Sequence, residues 1–265
     1  MNEKIYAIMA TSNFPYRQLF IKNAIASFLA QTYDNKKLII VNHGDPIKDI
    51  PSSNVLQVQV NPRKVRSESN HGSSKKDHKV AVGLMRNMAM DMLPPDAVWM
   101  VWDDDDWNHP NRMKEQYEYL KNNDLDACAM LKQVKYSFLK NRAGVFHVTG
   151  ELIHDTIGWL QTMMWKVKPE FRYGNTRRRS DALMFSKYEK KFKCKGWTAP
   201  PHYFLRFLHH DNLWKDQYFR HTWKHPGQEN LSLEEAAYLK KILCSYGLSS
   251  IELKNLGNRL KGNRK

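Results

Sequence analysis

Short apolar segments alternate with amphipathic segments through the first hundred residues of the chain. Ile5 to Ala10, Leu38 to Val41 and Val98 to Trp102 are apolar almost throughout, which is typical of strands buried on both faces. Between them, the apolar residues of 16–31 and of 80–92 recur at helical spacing. This alternation predicts a largely parallel sheet covered by helices on both sides. In such sheets, ligands bind beyond the carboxyl ends of the strands.

Length and charge limit the class of protein without choosing one. The 265 residues fit one large α/β domain, or a core domain with a smaller appendage. The formal net charge of +15 attracts polyanions and phosphates. Nucleic acid, an anionic membrane and a nucleotide-sugar therefore all stay open as partners.

Cysteine usage and hydropathy indicate a cellular compartment. Cys128, Cys194 and Cys244 show no paired spacing, so we expect neither a disulfide framework nor a cysteine zinc site. The apolar segment near the N-terminus is too short for a signal peptide core, and no stretch of about 18 apolar residues occurs. We expect a cytoplasmic protein, with peripheral attachment to a membrane left open.

Four consecutive aspartates, Asp103 to Asp106, follow the apolar segment that ends at Trp102. This position puts four carboxylates at the edge where the predicted sheet binds its ligand. Adjacent anions repel one another, and Mn²⁺ or Mg²⁺ would relieve this with carboxylates and substrate phosphates as ligands. The alternative is a solvated turn that favours a helix beginning near Pro110 and pairs with Arg112 and Lys114.

Six short motifs occur in order between residues 10 and 113. They are Ala10 to Asn13, Ala26 to Tyr33, Ile39 to Asp45, Met85 to Ala89, Trp102 to Trp107 and Pro110 to Met113. Each motif is weak alone, but the ordered set resembles the family 2 glycosyltransferases of the GT-A fold, and the resemblance extends across most of residues 4–214. The resemblance implies an α/β fold with a mostly parallel central sheet flanked by helices. It also implies metal-dependent, inverting transfer of a sugar from a nucleotide-diphosphate donor to a glycan hydroxyl.

The same resemblance assigns donor-binding residues. In the family, the acidic motif binds the metal and the donor diphosphate, and here its first and third positions are Asp103 and Asp105, with Asp104 between them. The ends of the first two strands bind base and ribose, which selects Thr11, Asn13 and Asn42. A UDP-sugar is the commonest donor of the family and the donor we expect. Many relatives have aspartate where this chain has Asn42, whose amide can still pair with a base edge.

Two further residues are assigned roles in the chemistry. Asp181 precedes an apolar segment and resembles the carboxylate that removes the acceptor proton in the family, a role that suits a positioned carboxylate. Its alternatives are an N-cap or a partner of neighbouring arginines. Arg86 matches the family's Arg-Asn pair and is expected to approach the diphosphate or to order the aspartates. A structural ion pair is the alternative for Arg86.

A histidine pair follows the apolar run from Tyr203 to Leu208. His209 and His210 lie where some relatives place a histidine near the metal, and imidazole is a common manganese ligand. Which of the two faces the metal stays open, as does a role for either in the core or at the surface.

The resemblance divides the chain into a catalytic domain and an extension. Residues 1–212 form the catalytic domain, with a donor-binding half to about 110 and an acceptor-binding half over 111–212. Residues 213–265 are predicted as a helical extension with a basic tail, because Ser232 and Glu235 have the spacing of a capping box. A nucleic-acid-binding or metal-dependent nucleic-acid-processing protein is the competing function, suggested by the charge. No zinc finger or helix-turn-helix motif supports it, so we expect a carbohydrate acceptor and no nucleic acid.

Overall fold

The computed structural model describes residues 3–50, 53–66, 80–138, 141–147, 157–175, 180–209 and 228–247. Twelve strands lie in this part of the chain: β1 Ile5–Thr11, β2 Lys36–Asn42, β3 Val55–Gln59, β4 Val98–Val101, β5 Trp107–Asn108, β6 Ala127–Met130, β7 Lys132–Ser137, β8 Arg142–His147, β9 Met164–Lys166, β10 Cys194–Trp197, β11 Phe204–Leu208 and β12 Gln228–Glu229. The described helices are α1 Gln18–Leu29, α2 Val82–Met90, α3 Arg112–Asn122, α4 Ser180–Tyr188 and α5 Leu233–Ser245.

The larger sheet has seven strands in the order β10-β6-β9-β4-β1-β2-β3. β1 is parallel to both β2 and β4, and β2 is parallel to β3. The short strand β9 is antiparallel to both of its neighbours, β4 and β6. The predicted largely parallel sheet is therefore confirmed, and the carboxyl ends of β1, β2 and β4 share one edge.

Helices cover both faces of this sheet, as the alternating pattern predicts. Alternate side chains of β1 enter opposite cores: Ile8 packs with residues of α2 and α4, whereas Ile5 packs with residues of α1 and α3. Each fully buried aliphatic side chain contributes about 1.5–3 kcal/mol, so a strand buried on both faces stabilises two layers at once. Trp99 and Trp165 stack between neighbouring strands with ring centroids 5.8 Å apart.

The smaller sheet has five strands in the order β12-β8-β7-β11-β5. One of its faces is apolar and packs against α5 through Leu239, Ile242 and Leu243. The capping box predicted for this helix is confirmed, since the Ser232 hydroxyl accepts from the Glu235 amide and the Glu235 carboxylate accepts from the Ser232 amide. The strand β5 directly follows the four aspartates, so the smaller sheet begins at the edge where the larger sheet ends.

The helices α1 and α2 begin and end inside the predicted ranges 16–31 and 80–92. Residues Pro15–Arg17 form a 3-10 turn before α1, so the α-helix starts later than predicted. The predicted boundary after residue 212 and the basic tail lie outside the described residues. Within the described ranges, every helix is too short or too polar to cross a bilayer.

Candidate active site

The four aspartates occupy two kinds of environment. Asp104 and Asp106 are buried, whereas the side chains of Asp103 and Asp105 keep 26% and 16% of their surface exposed. The carboxylate of Asp106 accepts a hydrogen bond of 3.0 Å from the Phe207 amide, which ties the aspartates to β11. Burial raises the pKa of Asp106 well above its ordinary value, and the neighbouring Asp105 charge adds to this. Asp106 therefore anchors the turn, and Asp103 and Asp105 are the two aspartates that keep exposed surface.

Arg17 holds the middle of the aspartate turn. It ends the 3-10 turn that follows β1, and its Nη2 lies 2.5 Å from an oxygen of Asp104 and 3.2 Å from Asp105. The Thr11 hydroxyl, at the end of β1, donates to the same Asp104 carboxylate at 2.5 Å. Burial raises the pKa of Asp104, and Arg17 opposes this rise. Thr11 was predicted to bind the donor, and in this structure it supports the acidic motif.

Arg86 connects the acidic motif to the predicted catalytic base. This residue of α2 is 4% exposed, its Nη2 donates to Asp103 at 2.8 Å, and its Nη1 donates to Asp181. Asp181 lies in the first turn of α4. Burial raises the pKa of Asp103 to about 6, against the opposing charge of Arg86 and with a further rise from Asp105. Asp103 and Asp181, which are 78 positions apart in sequence, thus share the guanidinium of Arg86.

His209 lies on the other side of the acidic motif. Its Nε2 is 3.1 Å from the Asp105 carboxylate, and its ring stacks on Phe20 with centroids 4.3 Å apart. Burial opposes ionisation of Asp105, but the hydrogen bond from His209 and the charge of Arg17 outweigh it and lower the pKa. His210, the second predicted metal ligand, lies outside the described residues.

Binding of a divalent cation by the acidic motif stays a prediction. Among the described residues, no three histidine, cysteine, aspartate or glutamate side chains converge as a closed metal site. Asp105 and His209 nevertheless present an oxygen and a nitrogen ligand at one point, and Asp103 adds a second carboxylate on the same turn. Mg²⁺ and Mn²⁺ commonly take one or two carboxylates together with substrate phosphates. These residues therefore suit a metal bound jointly with a diphosphate.

Asn42 and Asn13 shape the loops at the ends of β2 and β1. The Asn42 side chain is fully buried, and its oxygen accepts from the amides of Asn13 at 3.2 Å and Gly44 at 2.9 Å. Its amide nitrogen donates to the Asp45 carbonyl at 2.7 Å. Gly44 is required here, since a β-carbon would lie 2.6 Å from the Asn13 nitrogen. Asn42 thus holds two loops together, and direct contact of either asparagine with a base stays a prediction.

Apart from Arg86, the arginines that interact with the aspartates are not the ones that the sequence suggested. Arg112, proposed as an alternative partner of the aspartates, is fully buried and donates to Asn108, Gln116 and the Thr162 carbonyl. Burial lowers its pKa to about 9. Arg17 and Arg206 were not selected from the sequence. The available signals were a basic residue in the loop between the first strand and the first helix, and a single charge inside the apolar run of β11.

No protein-family model and no curated protein sequence matches this chain. The described architecture is a mixed α/β fold whose mostly parallel central sheet is flanked by helices, and it confirms the predicted fold class. Solved structures of S. aureus TarS have a similar fold. Residues 1–349 of TarS in complex with UDP-GlcNAc align with a TM-score of 0.56 and 11% identity, over 96% of this chain and 70% of that chain. The complex with UDP gives a TM-score of 0.56 and 12% identity, over 96% and 69%.

The TarS chains are longer than this one. In a third comparison the chain spans 60% of TarS 1–349, and it spans 43% of a longer TarS chain at a TM-score of 0.55 and 13% identity. At such identities the likeness establishes the fold alone. Membership of the family 2 glycosyltransferases stays a prediction.

Proposed function

We propose that the chain is a glycosyltransferase that moves a hexosyl or pentosyl group from a nucleotide-diphosphate donor to a glycan hydroxyl. The observation that carries this proposal is the contact of one buried arginine, Arg86, with both Asp103 and Asp181. It joins a carboxylate beyond the end of β4 to a carboxylate at the start of α4. The likeness to TarS structures that hold UDP and UDP-GlcNAc supports a uridine nucleotide as the donor's leaving group.

Asp181 is the proposed general base. Its side chain is 31% exposed, so it can meet an acceptor, and its ion pair with Arg86 holds the carboxylate in place. As the acceptor oxygen attacks the anomeric carbon, the hydroxyl proton passes to the Asp181 carboxylate and the bond to the diphosphate breaks. Attack on the face opposite the leaving group inverts the configuration.

The acidic motif is the proposed binding site of the donor diphosphate. Asp103 and Asp105 with His209 would hold Mn²⁺ or Mg²⁺, which supplies positive charge for the leaving diphosphate when it is bound. Arg17 and Thr11 fix the aspartate turn through Asp104, so the carboxylates keep their orientation before any ligand arrives. This preorganisation reduces the cost of binding a doubly charged group.

Donor binding is the first test. Purified protein is mixed with UDP, GDP, CDP or ADP, each with Mn²⁺, Mg²⁺ or EDTA, and the unfolding temperature is measured. A ligand that binds only the folded state adds about 2.7 kcal/mol of stability at one hundred times its Kd. We expect UDP with Mn²⁺ or Mg²⁺ to raise the unfolding temperature more than UDP with EDTA. No response to any nucleotide would contradict the proposal.

Matched variants then assign the effect to the acidic motif. Asp105→Asn should lose the metal-dependent part of the UDP response. Asp91→Asn is the control, because Asp91 is also paired with an arginine, Arg172 at 3.1 Å, but does not belong to this motif. Release of UDP from UDP-sugars, with and without glycan acceptors, then measures transfer directly.

A further inference from the structure

Two cations face each other on the smaller sheet, away from α5. Lys135 of β7 and Arg206 of β11 are register partners on neighbouring parallel strands. Their neighbours Val134 and Leu205 enter the core beneath α5, so Lys135 and Arg206 lie on the opposite face, because side chains alternate along a strand. Lys135 is only 5% exposed. Two like charges at paired positions destabilise a sheet unless a counter-charge is present.

The structure supplies aromatic rings to Lys135, and the charge of Asp106 reaches it without a direct ion pair. Its Nζ lies 4.1 Å from the ring centroid of Trp159 and 4.5 Å from that of Phe146. Among the described residues, no carboxylate forms a direct ion pair with Lys135 or Arg206, although the charge of Asp106 acts on both. Burial lowers the pKa of Lys135 well below its ordinary value, the charge of Arg206 lowers it further, and the charge of Asp106 only partly opposes this. An anion bound between the two cations would reduce their repulsion and would favour the charged form of Lys135.

A third unmatched donor lies on the same face. Gln133, two residues before Lys135 on β7, is fully buried, and its amide nitrogen has no hydrogen-bond partner. Its amide oxygen accepts from Gln161 at 2.9 Å, which directs the nitrogen elsewhere. A buried donor without a partner costs about 1–3 kcal/mol. A lysine, an arginine and an amide donor on one face suit a ligand with several acceptor oxygens.

This face begins next to the acidic motif, and Lys135 lies two strands away from it. The strand order is β7-β11-β5, and β5 directly follows Asp106. The charge of Arg206 lowers the pKa of both Asp103 and Asp105, so its guanidinium is within electrostatic range of the motif. With strands spaced about 4.8 Å apart, Lys135 lies about 10 Å from β5. A diphosphate held by the aspartates would therefore leave Lys135 for a second ligand.

We propose that Lys135, Arg206 and Gln133 form a subsite for an anionic group on the acceptor glycan, a phosphate or a carboxylate. This inference rests on the proposed glycosyltransferase function, which requires an acceptor beside the donor. The subsite selects acceptors by charge and holds the anion on the smaller sheet while a hydroxyl of the same glycan faces Asp181. The net charge of +15 draws such acceptors to the protein.

The test uses small anions with the donor site blocked. Wild-type protein saturated with UDP and Mn²⁺ is titrated with glycerol 3-phosphate and with glucuronate, and with the neutral analogues glycerol and glucose, by calorimetry. Lys135→Met and Arg206→Gln remove the two cations. Lys132→Gln is the matched control, because it removes a charge from the same strand at a half-buried position that pairs with Glu229 at 3.9 Å.

We expect at least one anion to bind the wild-type protein and the Lys132 variant equally, and both neutral analogues to bind neither. Binding should weaken about tenfold or more in each subsite variant, as expected for losing a charge-assisted hydrogen bond. Methionine has a similar length and removes an unpaired buried charge, so Lys135→Met should fold. The phosphate and carboxylate arms identify which acceptor chemistry fits.

Two results would overturn the subsite: no anion binding to the wild-type protein, or equal binding by wild type and both subsite variants. Failure of the donor assignment is a separate outcome. If UDP does not bind, the titrations are repeated without it, and anion binding that depends on Lys135 and Arg206 still supports the subsite.

Discussion

Asp181→Asn should lower the rate of sugar transfer while leaving donor binding and stability nearly unchanged. Asparagine keeps the size of the side chain and an oxygen that accepts from Arg86, but it cannot take up a proton. A positioned general base contributes about 10²- to 10⁴-fold to the rate. We therefore expect the rate of UDP release in the presence of acceptor to fall by about that factor.

The cost of this change in stability is small. A hydrogen bond to a charged group contributes about 1.5–3 kcal/mol and one between neutral groups about 1 kcal/mol, so the loss at Arg86 is about 1 kcal/mol. The 31% exposure of the Asp181 side chain screens this further. Loss of a carboxylate from the first turn of α4 adds about 0.3–1 kcal/mol. Chemical denaturation should show a total below about 2 kcal/mol.

The assay compares three quantities in wild type, Asp181→Asn and the control Asp91→Asn: turnover, UDP affinity and free energy of unfolding. Only the turnover of Asp181→Asn should change strongly. Wild-type turnover in this variant would refute the role as base. A parallel loss of UDP affinity would instead assign Asp181 to the donor site.

Three further predictions concern the scaffold. Arg112→Met should lower the free energy of unfolding in urea by about 3 kcal/mol, because three buried acceptors lose a donor at a cost of about 1–3 kcal/mol each while one buried charge is removed; a loss below about 1 kcal/mol would contradict this. Gly158 has φ +115° and a β-carbon there would collide with the backbone of β6, so Gly158→Ala should cost at least about 2 kcal/mol. Gly247→Ala, with φ +75° and open space around the β-carbon, is its control at about 1 kcal/mol, and equal losses would argue against the collision. Burial lowers the pKa of both His109 and His202, so the unfolded chain binds more protons below about pH 6.5 and stability falls as pH drops from 7 to 5. In the double variant with glutamine at both positions, the free energy of unfolding should fall less steeply between pH 7 and pH 5. An unchanged pH dependence would refute this assignment.

The sequence predicts the larger sheet well because its strands are buried on both faces. Residues such as Ile8 and Val101 belong to apolar runs that only a covered sheet can bury, and the helices between them show a clear period. The antiparallel strand β9 does not follow from the same logic. It has three residues, and its position between β4 and β6 depends on pairing with distant segments.

The smaller sheet is harder to predict because polar residues occupy its strands. Lys135 and Arg206 are charged residues inside strands, and the hydrophobic pattern predicts that such residues lie at the surface. Only the fold reveals that Lys135 is buried. For the candidate site, the resemblance indicates the chemistry of Asp103 and Asp181 and the importance of Arg86, but the contact of Arg86 with both carboxylates follows from tertiary packing alone.

The placement of Arg86 limits how this chain can be recombined with others. Arg86 and Asp103 belong to the predicted donor-binding half, and Asp181 belongs to the predicted acceptor-binding half, so the guanidinium receives counter-charges from distant parts of the chain. A chimera that takes its second half from another protein would inherit a buried cation with one partner missing, unless that half brings an acid at the start of the matching helix. A chimera of this kind therefore needs a second protein that has an acidic residue at the position of Asp181.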